Sequence, residues 1–321
     1  MKKLGFTLIT ILLLLASCQK EQVLLSHEEI ASRDSLALHI GVVPVVACFP
    51  IYYAMETGMF QDEGVDVRLH EFLSQMDCDT ALLNEHVHVA FTDLPRLLEM
   101  QGDAANYRAV ASIDAPLSLM MAKKLRIRNL KHLDERMIAL DRLSTSDYWS
   151  DEIMREAGLS ATAIYRPQIN DVQLRTRMLT EQMTDGAMLP EPYATEAEML
   201  GHKRLFKTDT TAILFCLAST QQVLTDTMRN AQVRKFLNSY NKAVSQLNKG
   251  NQPEVIRNLL IKKCAIPQQI ADSLHLPAIR PLSLTRESDA DKAMTWMRKR
   301  ERRITSKART QLLWSEKLFN N

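Results

Sequence analysis

The sequence predicts an α/β protein made of two successive αβ series, and three observations carry that prediction. Short apolar strands alternate with helical stretches from Leu36 onward, the pattern of a largely parallel sheet covered by helices. Pro116 interrupts the first series, and the apolar run Leu117–Ala122 follows as a strand fit to cross into a second lobe. The continuous apolar segment Ala212–Ala218 then reads as a buried strand returning to the first lobe.

Taken in order, Leu36–Val43 is a strand and Ile51–Phe60 a helix that stops near Gly58. Val65–Phe72 is a strand, Asp77–Asn84 a helix, Val87–Phe91 a strand, Leu94–Met100 a helix and Tyr107–Ile113 a strand. In the second series Met137–Leu140 is a strand, and Ser146–Ala157 is a helix closed by Gly158. Ile164–Pro167 is extended, Val172–Gln182 helical, Gly186–Leu189 a strand, and Glu191–Leu200 a helix ending at Gly201. Beyond Gln221 the pattern is helical over Val233–Asn248, Glu254–Lys262, Pro267–Ser273 and Asp289–Arg303. These readings divide the chain into an N-terminal segment at 1–17, a tether at 18–35, lobe 1 at 36–116 and 213–321, and lobe 2 at 117–212.

The N-terminal segment begins with Lys2-Lys3, continues as an apolar run from Leu4 to Leu15, and ends in small residues, as a secretory signal does. At about a dozen residues the run is short for a membrane span, which needs about 20. Leu15-Ala16-Ser17-Cys18 resembles the bacterial lipobox, which implies cleavage before Cys18 and a lipid anchor on its sulfur and amino group. The polar stretch from Gln19 to about Ser35 reads as the tether between lipid and fold.

Apolar residues make up 46% and charged residues 24%, the balance of an ordinary globular protein. The formal charge of +2 falls to near neutrality once Lys2 and Lys3 leave with the signal, which argues against nucleic acid as a partner. Cys48, Cys78, Cys216 and Cys264 have wide spacings and no CxxC; buried free thiols are favoured over disulfides. No HExxH, GxSxG, Walker loop or GxGxxG is present, so no positive case for an enzyme arises.

In α/β sheets, ligands sit beyond the C-terminal ends of strands, near helix N-termini. After the first strand come Pro44, Phe49 and Tyr52, whose rings either stack on a planar ligand or pack the following helix. Ser74 and Gln75 follow the next strand as hydrogen-bond donors, with helix capping the alternative for Ser74. Thr92 and Asp93 come next; Asp93 either accepts from a ligand N–H or caps a helix. Asp114 reads as a solvated turn residue at the hinge. Ser144, Thr145, Ser146 and Asp147 form a polar helix start with Tyr148 and Trp149 behind, able to hold an anion or simply to cap, although Asp147 already supplies negative charge there. Glu191, before Pro192 and Tyr193, either accepts from an amino group in the cleft or serves the helix dipole. His86-x-His88 places two rings on one strand face without the further ligands a zinc site needs. The run Arg298-Lys299-Arg300-Glu301-Arg302-Arg303 reads as a solvated face, with anionic lipid or a permease as the alternative.

The segment Ile40-Gly41-Val42-Val43-Pro44, Pro50-Ile51-Tyr52-Tyr53-Ala54, Gly58-Met59-Phe60 and Glu63-Gly64-Val65-Asp66-Val67 resembles the N-terminal part of solute-binding proteins for nitrate, sulfonate, taurine and pyrimidine thiamine precursors. Ala81-Leu82 with Val87–Asp93, Leu130 with Leu133-Asp134 and Met137–Ala139, and Met178-Leu179 with Asp185-Gly186-Ala187 and Glu191-Pro192 continue the resemblance in order. Thr92-Asp93-Leu94-Pro95 and Leu143-Ser144-Thr145-Ser146 depart from the family's Gly- or Ser-rich turns. The resemblance implies a two-lobe clamp of the type II periplasmic-binding-protein kind, with two crossover strands, closing on a small solute and docking on an ABC permease with its ATPase. No cofactor and no metal is expected, and the chain is expected to be a monomer held by lipid on the outer side of the cytoplasmic membrane, with the outer membrane as the alternative site. Asp93 and Glu191 with Phe49, Tyr52 and Trp149, and the lack of clustered Arg or Lys, favour an amino-bearing, pyrimidine-like solute over a sulfonate. Two alternatives stay open: an enzyme on the same fold acting on a small carboxylate, and a surface lipoprotein that has lost its ligand and acts as an interaction protein.

Overall fold

A computed structural model describes residues 34–101, 106–250, 253–275, 277–302, 304, 308 and 311–314. The expected signal, Cys18 and the tether up to residue 33 lie outside the described residues. The chain divides into Met1–Ala37 and Leu38–Asn321, and both sheets belong to the second unit.

Lobe 1 is built on a five-stranded sheet in the order β2-β1-β3-β9-β4, where β1 is Leu38–Val42, β2 Val67–Glu71, β3 Val89–Asp93, β4 Tyr107–Ser112 and β9 Phe215–Thr220. Lobe 2 is built on a four-stranded sheet in the order β6-β7-β5-β8, where β5 is Leu117–Met121, β6 Ile138–Ala139, β7 Gly186–Pro190 and β8 Lys203–Lys207. The two connections between lobes run from β4 to β5 and from β8 to β9. The sheets are mixed, which corrects the largely parallel expectation. β1 pairs in parallel with β2 and β3, and β6 with β7, but β9 is antiparallel to β3 and β4, and β5 to β7 and β8. The reversals fall on the strands that enter each lobe from the other.

Helix α1 (Phe49–Glu56) starts with Pro50 in its first turn, and Gly58 just beyond its end has φ 75°. It is followed by the short α2 (Met59–Asp62). Ser74 caps α3 (Gln75–Leu83) by accepting from Asp77 N. Asp93 caps α4 (Leu94–Gln101), its Oδ1 accepting from Arg96 N at 2.9 Å. Ser144 caps α5 (Thr145–Ala157), which ends at Gly158 with φ 71°. In lobe 2 Asp171 caps α6 (Val172–Thr180), and α7 (Tyr193–Met199) follows β7. The chain closes with α8 (Gln221–Thr225), α9 (Thr227–Asn248), α10 (Pro253–Lys262), α11 (Gln268–Ala271) and α12 (Glu287–Lys299).

The lobe 1 core joins α1, α9 and the sheet. Phe60 stacks on Phe236 at 5.7 Å, and the buried Tyr240 hydroxyl donates to Ala47 O at 2.8 Å. Helix α12 packs on α4. The sequence pattern misses β8, whose Lys-Arg-Leu-Phe-Lys carries the charges of a protected sheet edge and little apolar signal. It also starts α9 six residues late, because the first turns after the Asp226 cap are polar.

Candidate functional site

The lobes meet at the C-terminal ends of β1, β3, β6 and β7. Backbone bonds join them directly: Val46 N donates to Glu191 O at 2.9 Å, and Val172 N to Leu73 O at 3.4 Å. Between these ties lies a cavity of about 40 Å³, lined by Leu73, Gln75 and Phe91 from lobe 1 and by Asp141, Ser144, Ser146, Asn170 and Arg175 from lobe 2. A cavity of about 270 Å³ lies on the hinge side, lined by both connections, by Glu191 and Lys207, and by Pro277–Arg280. Val45, Ala115 and Pro190 line both spaces and stand as a partition between them.

The smaller cavity has a charged floor. Asp141 follows β6, and the α5 start fixes its backbone: Ser146 Oγ accepts from Asp141 N at 3.0 Å, while Ser144 Oγ donates to Asp141 O at 2.7 Å. Arg175 Nη1 donates to Asp141 Oδ2 and to Ile169 O, each at 2.9 Å. From lobe 1, Arg96 reaches Asp79 Oδ2 at 3.4 Å and stands 3.9 Å from Asp141 Oδ1. A chain of alternating charge, Asp79–Arg96–Asp141–Arg175, therefore crosses from one lobe to the other. Burial pushes the Asp79 carboxyl up to about 7 despite the opposing pull of Arg96. Burial also raises the Asp93 carboxyl. Arg175 Nε, Arg96 Nε and Thr145 Oγ1 are buried without a hydrogen-bond partner among the described residues.

Asp93 is completely buried and belongs to both lobes. Its Oδ1 caps α4, and its Oδ2 accepts from Thr145 N, the first amide of α5, at 2.8 Å.

Of the residues expected at the site, the structure brings Ser144, Thr145, Ser146 and Asp93 together. Thr92 is buried in β3 beside them, and Ser74 is buried at the lobe contact, bridged to Asp171. Glu191 lies on the hinge-side cavity, where Arg204 Nη1 donates to its Oε1 at 2.9 Å and Thr195 N to its Oε2 at 3.0 Å. Pro44 is buried, and its carbonyl accepts from Cys264 Sγ. Phe49 and Tyr52 are buried in lobe 1, edge to face with centroids 6.5 Å apart. Trp149 is buried against Tyr148 and against Phe206 of β8. Phe49 and Tyr52 thus pack lobe 1, the alternative given for them, and Trp149 packs within lobe 2. Sequence reasoning missed Asp79, Arg96, Asp141 and Arg175. Asp141 could have been nominated as the residue directly after a strand. Helix-borne Arg96 and Arg175 carry no such signal.

Away from the cleft, His88 joins His39 and His70: His39 N donates to His88 Nδ1 at 2.9 Å, and the His39 and His70 rings lie 2.8 Å apart, nitrogen to nitrogen. Burial lowers His88 to about 4. Among the described residues no cluster with metal-holding geometry is present. In the basic run, Arg300 pairs with Asp147 and Asp151, and Arg302 with Glu99, so these two charges are spent within the fold. The four cysteines after Cys18 are free and buried.

Two mixed α/β lobes joined by two connections, with polar strand ends facing a shared cleft, define the periplasmic-binding-protein fold, and solved structures agree. The alkanesulfonate-binding protein SsuA from Xanthomonas axonopodis pv. citri, bound to MOPS, is 15% identical with a TM-score of 0.73, covering 87% of this chain and 98% of its own. The aliphatic sulphonate binding protein SsuA from Escherichia coli is 17% identical with a TM-score of 0.71, covering 89% and 94%. The nitrate-binding protein NrtA from Synechocystis PCC 6803 is 12% identical with a TM-score of 0.69, covering 86% and 84%. Comparison with curated protein sequences gives no match. Residues 46–252 match the NMT1/THI5-like family model, and the chain belongs to that family.

Proposed function

We propose that this protein is the lipid-anchored, extracytoplasmic solute-binding component of an ABC importer, capturing a small polar or heteroaromatic solute between its lobes and delivering it to a permease and ATPase. The carrying observation is the charged inter-lobe cleft, where Ser144, Ser146, Asp141, Asn170 and Arg175 face Gln75 of the opposite lobe. Such convergent polar groups in a pocket between moving bodies are what solute capture requires. The Asp141 carboxylate in the cleft lining, with Asp93 already holding the first amide of α5, favours an amino-bearing, pyrimidine-like solute over a sulfonate. Anchoring through Cys18, a monomeric state and a place on the outer side of the cytoplasmic membrane, or in the outer membrane, belong to the same proposal.

The test is a thermal-shift screen of the chain lacking residues 1–18 against pyrimidines, other amino-heteroaromatics, sulfonates and small carboxylates. A ligand at 100 times its dissociation constant stabilises by about 2.7 kcal/mol. A selective shift that is lost in Ser146→Ala supports the proposal. A second reading, a clamp that has given up its solute and serves as an interaction protein, is favoured by the small cavity and by the direct bonds between lobes. Silence across the panel supports that reading.

A further inference from the structure

We propose that Asp93 is a resident carboxylate that takes the anion position at the N-terminus of α5 and so turns the cleft against small anionic solutes. The inference rests on the solute-binding reading above and deepens it, because it fixes the charge class of the solute: neutral or cationic, with N–H groups to donate.

The amides that open a helix are a ready anion site, through their free N–H groups and the positive end of the helix dipole. In α5 that end faces the cleft, and its first two amides are already taken. Thr145 N donates to Asp93 Oδ2, Ser146 N to Ser144 Oγ, and Tyr148 N to Ser144 O. The first of these partners comes from the other lobe. As the cap of α4, Asp93 needs only one oxygen, the Oδ1 that accepts from Arg96 N. Its second oxygen is free to act as a ligand, and its distance of 2.8 Å from Thr145 N is that of a charge-assisted hydrogen bond. Thr145 Oγ1, on the same residue, is buried and without a hydrogen-bond partner among the described residues, so the position has a donor to spare for a second oxygen.

The surrounding charges do not offset a further anion. Asp93 and Asp141 already match Arg96 and Arg175 one for one, and each guanidinium is turned toward a carboxylate, Arg96 toward Asp79 and Asp141 and Arg175 toward Asp141. An incoming anion would have to displace Asp93 from the helix and leave it buried beside like charge, an arrangement that strongly disfavours binding.

The experiment compares the parent chain with Asp93→Asn and Asp93→Ser by isothermal titration with sodium nitrate and sodium methanesulfonate at constant ionic strength. Asparagine and serine both keep an oxygen for Arg96 N, so α4 stays capped while the charge is removed. The expected result is at least a tenfold gain in affinity for one of these anions in Asp93→Asn, reproduced in Asp93→Ser. Equal affinity of parent and variants, including equal absence of binding, overturns the proposal. So does a parent that binds either anion more tightly than its variants. Failure of the solute-binding reading registers elsewhere, as silence of the parent across the thermal-shift panel.

Discussion

The indole Nε1 of Trp296 donates to Asp151 Oδ2 at 2.8 Å, tying α12, which rests on lobe 1, to α5 of lobe 2. Arg300 adds bonds to the same Asp151 oxygen at 2.8 Å and to Asp147 Oδ1 at 3.1 Å, and Arg166 of lobe 2 holds Asp151 Oδ1 at 2.9 Å. The C-terminal helix thus acts as a clasp on the helix whose first turn forms the cleft. Trp296→Phe keeps the edge-on packing against Tyr148 while deleting the N–H. It is expected to cost about 1–2 kcal/mol, because Asp151 retains its two arginines. Urea unfolding of the two proteins measures the difference, and an unchanged midpoint would show that the clasp bond contributes nothing.

Arg175→Met is expected to be far more damaging. Arg175 and Asp141 are both buried, and the lost guanidinium leaves Asp141, among the described residues, with Arg96 at 3.9 Å as its remaining cation. Breaking a buried pair by removing one partner costs about 3–5 kcal/mol. The companion double variant Arg175→Met with Asp141→Leu should recover much of that loss, and failure to recover would place the damage in packing instead of charge.

Stability should carry two opposing pH dependences. Asp79 holds its proton up to about pH 7 in the fold but only to its ordinary 3.8 when unfolded. Its contribution is complete at acid pH and is lost as pH rises through about 7. His88 is neutral in the fold down to about 4 yet takes a proton near 6.5 once unfolded, so its contribution is complete above 6.5 and is lost as pH falls toward 4. Relative to the parent, Asp79→Asn should therefore gain stability as pH rises from about 4 to about 7, and His88→Asn should gain as pH falls from about 6.5 toward about 4. Difference curves from denaturant titrations across that range resolve the two signs.

Gly186→Ala is expected to destabilise by about 1–3 kcal/mol, the usual range for overpacking. Gly186 opens β7 between β5 and β6, and an added Cβ there would meet Met121 Sδ at 2.7 Å, Ile138 Cδ1 at 2.8 Å and the Met120 carbonyl at 2.9 Å. The side chains can yield but the carbonyl cannot move without disturbing the ladder. Thermal unfolding checks the loss.

The fold was legible because it is written in local pattern: apolar strands such as Val89–Asp93, caps such as Ser74 and Ser144, and glycine stops such as Gly158. Strand direction was not, since only the path between lobes makes β5 and β9 run against their neighbours. The strand-end rule nominated the Ser144–Ser146 turn and Asp93, which the structure sets side by side where the lobes meet. It failed for Phe49, Tyr52 and Trp149, because an aromatic ring behind a turn looks the same whether it faces a cleft or a core. Arg96 and Arg175 were hidden because a helix places its charged residues by packing, not by sequence neighbourhood.

The four sheltered cysteines have an experimental consequence. Cys48, Cys78, Cys216 and Cys264 are buried free thiols, and burial pushes all four above the ordinary thiol range, Cys48 up to about 12. A thiol reagent has almost no thiolate to attack while the fold is shut. The rate at which each sulfur becomes labelled is therefore an internal clock for local opening, with Cys78 timing α3, Cys216 the lobe 1 sheet and Cys264 the packing beside α10, and no engineered cysteine is needed to read it.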